Sequence, residues 1–163
     1  MTLNTETVVA VLGMVSIRES IPETAFVFGG SSALVVQGLR ESCEKLSVWV
    51  SRDYFGSLCE AHGVTNHPMT DTLVTLELER CAGNEPILVD VRERNPYFGI
   101  VHLKGELEGV AVFDDITLTI QKRNEHTKLK ESSAPEDEVQ LVVRDIQILN
   151  ARLAEKNKVK EVA

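Results

Sequence analysis

The sequence predicts an α/β protein: a mixed β-sheet with flanking helices and a helical C-terminal part. Three observations carry this. Two short, continuous apolar runs, Ala25–Phe28 and Leu46–Val50, have the length of buried strands. Residues 72–78 alternate, Leu73, Thr75 and Glu77 against Val74, Leu76 and Leu78, which is the period of a half-buried strand. Stretches near both ends carry apolar residues at helical spacing.

Taken in order, Thr5 caps a helix that runs to about Glu19, with Val8, Val11, Leu12 and Val15 on one face. Gly13 lowers its propensity and Pro22 stops it. The strand at 25–28 leads into a Gly29-Gly30 turn and a helix over Ser31–Arg40. Leu46–Val50 is a strand rich in the strand formers Val48, Trp49 and Val50, and Arg52–His62 is a helix ended by Gly63. Val64–Thr70 is polar and loop-like. Residues 72–78 and 87–91 form a hairpin, with Gly83, Asn84 and Glu85 before the second strand. Ile100–Leu103 and Val110–Val112 are short strands. Asp114 caps a helix over about 115–124, and Lys128–Asp137, with Ser132, Ser133 and Pro135, reads as a loop. Glu138–Ala154 is an amphipathic helix with Leu141, Ile148 and Leu149 along one side and Ile146 nearby, and the charged tail from Glu155 frays. No internal repeat or low-complexity segment is present. The whole is one domain, 1–163, with a core over about 5–115 and a helical part over about 115–156.

The chain's 163 residues, 43% of them hydrophobic, suffice for one domain with a real core. A formal net charge of −8 argues against non-specific nucleic-acid binding and against an anionic membrane surface, both of which need clustered Lys and Arg. No apolar run approaches the roughly 20 residues of a membrane span, and the first residues lack the basic start of a signal peptide. Cys43, Cys59 and Cys81 are an odd number with no close pair, which suits a reducing, cytoplasmic location rather than a disulfide framework or a zinc site.

The chemistry is concentrated at Gly29-Gly30-Ser31-Ser32. A strand, a Gly-Gly turn, a helix and a second strand form a phosphate-binding pattern, because glycines admit a ligand to the backbone and the free N–H groups of a helix start face an anion. The run Phe26 to Leu34, then Gly38-Leu39-Arg40, then Leu46 to Val50, resembles the minimal nucleotidyltransferase family. In that family the strand after the turn carries an Asp-hydrophobic-Asp pair and a later strand supplies a third acid; together they hold two Mg²⁺ ions that clamp a nucleoside triphosphate and activate the attacking hydroxyl. The resemblance makes Gly29, Gly30, Ser31 and Ser32 the phosphate-holding turn and Asp90 the third acid, a metal ligand and catalytic residue. Arg144 to Leu149 resembles a C-terminal helix common in the family, and the segment with Lys122 the helix before it.

Lys45 and Ser47 stand at the positions of the paired aspartates. An ammonium does not coordinate Mg²⁺ and a hydroxyl substitutes poorly for a carboxylate, so Asp90 is left where three acids are needed. Glu44 is one residue out of register and reaches the site only through a bulge. Lys45 can instead meet a nucleotide phosphate or Asp90 as a fixed cation.

Each feature also has a plain structural reading. Asp90 can be a strand-end acid paired with Arg92, and Lys45 a surface lysine. Arg144 and Asp145 read as solvent-facing charges, and Trp49 as core. His62, His67, His102 and His126 lack metal spacing, Ser31 and Ser32 lack a His–Asp pairing, and Cys43 lacks a base. Residues 123–130 read as a solvated face.

The leading expectation is a catalytically degenerate nucleotidyltransferase-like protein that binds a nucleotide or a protein partner, with Lys45 and Ser47 in the nucleotide site. One alternative is an active, Mg²⁺-dependent transferase that modifies a protein or small-molecule hydroxyl through Asp90. Another is an interaction module without ligand, including a homo-oligomer, which suits the long C-terminal helix and acidic surface.

Overall fold

The computed structural model describes residues 2–67, 72–79 and 85–162. The expected turn residues Gly83 and Asn84, the end of the 64–70 loop, and Cys81 lie outside them.

The N-terminal helix α1 (Thr5–Glu19) buries Val8, Val11, Leu12 and Val15. Its cap is Asn4 and not Thr5: the Asn4 carboxamide accepts from Thr7 N–H at 2.9 Å, while the Thr5 hydroxyl donates to the Val35 carbonyl at 3.0 Å. A 3₁₀ turn at Glu23–Ala25 leaves only two residues for β1 (Val27–Phe28). The next helix, α2 (Gly30–Val36), is shorter than Ser31–Arg40, because the chain turns at Gly38 with φ +73°. β2 (Leu46–Val50) and α3 (Arg52–Ala61) fall where the sequence places them.

The strands β3 (Leu73–Leu78) and β4 (Ile87–Glu93) form the expected antiparallel hairpin, and β5 (Ile100–His102) and β6 (Ala111–Phe113) form a second antiparallel pair. The six strands make one mixed sheet in the order β3-β4-β2-β1-β6-β5. β1 runs antiparallel to β2 and parallel to β6, and β2 runs parallel to β4. One face of its β2–β4 part carries Leu46, Val48, Val50, Val74, Leu76, Leu78, Val89 and Val91, all buried in a core shared with α1 and with Phe55, Leu58 and Cys59 of α3. By alternation the other face carries Ser47, Trp49, Thr75, Glu77 and Asp90.

Helix α4 (Asp115–Glu131) starts at the Asp114 cap, which accepts from Thr117 N–H at 2.8 Å, and runs seven residues beyond the expected end. Lys128, Leu129, Lys130 and Glu131 are good helix formers, with Lys128 and Lys130 placed favourably at the C-terminal end of the dipole. The true loop is therefore only 132–135, turned by Ser133 at φ +54°. Helix α5 (Glu136–Val162) begins earlier and ends later than expected. Glu136, Asp137 and Glu138 complement its N-terminus. The segment after Glu155 continues as helix, and Lys156 Nζ reaches Asp115 Oδ2 at 2.8 Å.

The inward stripe of α5 is also corrected. Leu141 is 42% exposed, and Val139, Val142, Asp145 and Leu149 face the interior. α4 and α5 form an antiparallel hairpin, since Lys122 meets Asp145 and Asp115 meets Arg152.

Candidate functional site

The Gly29-Gly30 turn sits beside β2, at the N-terminal end of α2. A Cβ on Gly29 would lie 2.3 Å from Trp49 Cζ3 and 2.8 Å from Gln121 Oε1, so only glycine fits. Gly30 has φ +52°, the left-handed region. The turn is thus built for close approach, yet what approaches it is the protein itself. Gly29 N–H donates to the Ser47 carbonyl at 3.2 Å, and Gly30 N–H donates to Gln121 Oε1 at 2.9 Å. The expectation that these amides stand free toward an anion is corrected: both are satisfied from within.

Ser31 and Ser32 point to different neighbours. Ser32 Oγ accepts from Ser47 N–H at 2.8 Å and locks α2 to the start of β2. Ser31 Oγ accepts from Arg40 Nη1 at 2.9 Å and from Lys122 Nζ at 2.5 Å. Both cations also hold Asp145 Oδ2, at 2.8 and 2.9 Å, and Lys122 meets Glu125 at 3.1 Å. Lys122 and Asp145 are both buried. A buried charge survives only when paired and hydrogen-bonded, and this cluster meets that condition. The solvent-facing reading of Asp145 is therefore overturned, while Arg144 is exposed as expected.

The second half of the site lies on the sheet. Register places Ser47 opposite Asp90, and Thr75 opposite Asp90 on the other side. Asp90 is 2% exposed. Lys45 Nζ stands 2.6 Å from Asp90 Oδ2, and Thr75 Oγ1 donates to Oδ1 at 2.9 Å. Oδ2 has no further hydrogen-bond partner among the described residues. Lys45 is thus at hand as a partner for Asp90. Glu44 remains exposed before β2, whose pairing with β4 is regular from Leu46 to Val50. No bulge brings it in.

Trp49 packs edge-on against Phe113 with ring centroids 5.3 Å apart, and Arg92 lies 5.4 Å over its ring. Its ring is engaged in packing on both counts. Cys43 is buried, and burial pushes its thiol above the ordinary range, as it does for Cys59. His62 pairs with Glu19 at 3.0 Å.

All seven sequence-derived site residues, Gly29, Gly30, Ser31, Ser32, Lys45, Ser47 and Asp90, lie around the end of β1, the start of α2, the start of β2 and the middle of β4. Arg40, Gln121, Lys122 and Asp145 join them and were missed as site residues. Apolar residues three and four apart are the signal that orients a helix, and a stripe that includes an aspartate between Val142 and Leu149 hides that signal.

The charges balance. Lys45 answers Asp90, and Arg40 with Lys122 answer Asp145 with Glu125. A Mg²⁺ ion needs an excess of carboxylate oxygen. The donor set here is one acid already joined to an ammonium, and no group of three His, Cys, Asp or Glu able to hold a metal is found among the described residues. These residues do not fit Mg²⁺. No helix among the described residues is long and apolar enough to cross a membrane. Comparison with protein-family models, curated proteins and solved structures finds no match to this chain.

Proposed function

We propose that this chain is a catalytically degenerate nucleotidyltransferase-like protein, which uses the site to bind a nucleotide without transferring a nucleotidyl group. One observation carries the reading: the Lys45 ammonium lies 2.6 Å from Oδ2 of the buried Asp90 and neutralises the one acid the metal-dependent chemistry would rely on. Further support comes from Ser47, a neutral residue in register with Asp90. Lys45 is 51% exposed on a flexible stem and can turn from Asp90 toward a phosphate, whereas Lys122 is locked by three partners. Nucleotide binding here is a competition between the ligand's phosphates and Asp90 for one cation.

Calorimetric titration with ATP, GTP, CTP and UTP, with and without Mg²⁺, tests this. The expected result is metal-independent binding, weakened in Lys45→Ala. A Mg²⁺-dependent incorporation of labelled nucleotide that disappears in Asp90→Ala would overturn the degenerate reading in favour of an active transferase. Absence of binding to all four would remove the nucleotide and leave a protein partner as the occupant to seek.

A further inference from the structure

Helix α4 sends one neutral polar side chain to the glycine turn. Gln121 is half-buried, and its Oε1 accepts from Gly30 N–H at 2.9 Å. Because Gly30 offers a donor, the carboxamide must turn its oxygen inward, and Nε2 then faces away from that N–H. The carboxamide is also held from the side. A Cβ on Gly29 would lie 2.8 Å from Gln121 Oε1 and 2.3 Å from Trp49 Cζ3, so amide and indole crowd one point. Nε2 makes no hydrogen bond among the described residues and is open to solvent.

Ser47 repeats the arrangement from the sheet. Its N–H donates to Ser32 Oγ and its carbonyl accepts from Gly29, so its backbone is engaged. Its Oγ has no hydrogen-bond partner among the described residues and is likewise open to solvent. The side of Gly30 that lacks a Cβ faces this hydroxyl: a Cβ there would lie 3.8 Å from Ser47 Oγ. Two unengaged donors from different elements thus border one glycine. Lys45 brings an ammonium to the same level of the sheet, since Ser47 is in register with Asp90 and Lys45 Nζ lies 2.6 Å from Asp90 Oδ2.

We propose that Gln121 and Ser47, together with Lys45, are the groups that take a phosphate at this site. Gln121 relays the covered Gly30 N–H outward: Oε1 accepts from the turn, and Nε2 donates to a phosphate oxygen. The proposal rests on the nucleotide reading and names the donors that hold the phosphate. A phosphate oxygen only accepts at neutral pH, and two neutral donors beside one ammonium suit it. A cationic ligand would find Asp90 as its counter-charge, which Lys45 already answers. The chain from Gly30 N–H through the carboxamide to the ligand is polarised in one direction, so the first hydrogen bond strengthens the second. A cap on the turn would need only the oxygen of Gln121, and that difference makes the role measurable.

Calorimetric titration of the full chain with ATP, GTP, CTP and UTP, and with inorganic tripolyphosphate, tests it on three variants. Gln121→Glu keeps an oxygen for Gly30 N–H and puts a second oxygen where Nε2 stood. It should melt like the parent without ligand, yet bind at least about 10-fold more weakly, the effect of losing a hydrogen bond to a charged group. Asn124→Asp, at an exposed position one turn further along α4, adds the same charge without the contact and should lose less than about threefold, because an exposed charge is screened. Ser47→Ala should also weaken binding. Equal losses at 121 and 124 would reduce the effect to long-range charge and overturn the proposal. Parent affinity in Gln121→Glu would make Gln121 a cap alone and overturn it while leaving the nucleotide reading intact. Tripolyphosphate binding that needs Gln121, with no nucleotide bound, would support the phosphate site and refute the nucleotide. Binding of neither probe by the parent would overturn both.

Discussion

Asp145 offers the sharpest test of how the helical hairpin is held. Its carboxylate is 2% exposed and receives Lys122 Nζ at 2.9 Å and Arg40 Nη1 at 2.8 Å. Asp145→Asn removes the charge with little change of shape. It leaves Lys122, itself 1% exposed, with Ser31 and the half-exposed Glu125 as its remaining partners. Breaking a buried pair by removing one member costs about 3–5 kcal/mol, because the surviving charge stays buried. Arg40 is 20% exposed and can regain water, and Glu125 still answers Lys122, so the lower end applies: about 3 kcal/mol. For a domain of this size that lowers Tm by about 10 °C. With a urea m-value of about 2 kcal/mol/M, the midpoint falls by about 1.5 M at unchanged slope. Urea titration followed by far-UV circular dichroism and by Trp49 fluorescence measures it, with the exposed neighbour Arg144→Ala as control, expected within about 0.5 kcal/mol of the parent. A loss below about 1 kcal/mol, the scale of an exposed ion pair, would refute the buried clamp. So would equal effects at 144 and 145.

Two further outcomes follow from the packing and from the thiols. Gly29→Ala drives a methyl to within 2.3 Å of the Trp49 ring and should cost about 1–3 kcal/mol in chemical denaturation, with a changed Trp49 emission in the folded state; an unaltered spectrum and stability would mean that the turn does not touch the ring. The Cys43 and Cys59 thiols are raised by burial, so both remain neutral thiols, and poorly reactive, as pH rises through 8 where an ordinary thiol begins to ionise. Alkylation of the folded chain at pH 8, mapped by mass spectrometry, should spare both until denaturant is added; fast labelling of either would contradict their burial.

Much of the fold is legible in local pattern. The alternation over 73–78, the run 46–50 and the α1 stripe each specify an element and its buried side, because period 2 and period 3.6 are properties of the backbone. The failures share one cause. Residues 128–131 look loop-like because they are mostly polar, but polarity only says that no core lies against them; Lys128, Leu129, Lys130 and Glu131 have good helix propensity, and the cap at Asp114 had already started the helix. On α5 the rule that apolar residues face inward selects Leu141, when the inward position three residues from Val142 is an aspartate.

The sequence by itself determined the α/β class, the order of strands and helices, and the glycine turn. These follow from residue type and short-range spacing. The tertiary structure alone decided who partners whom. It set Lys45 on Asp90, filled the Gly30 amide with Gln121 from a helix 91 residues away, and drew Arg40, Lys122 and Asp145 together over up to 105 residues of chain. The physical reason is that a charge has no periodicity to announce its side. An aspartate on a helix is read as solvated until a cation from another element lies close enough to make its burial stable, and that distance exists only in the folded chain.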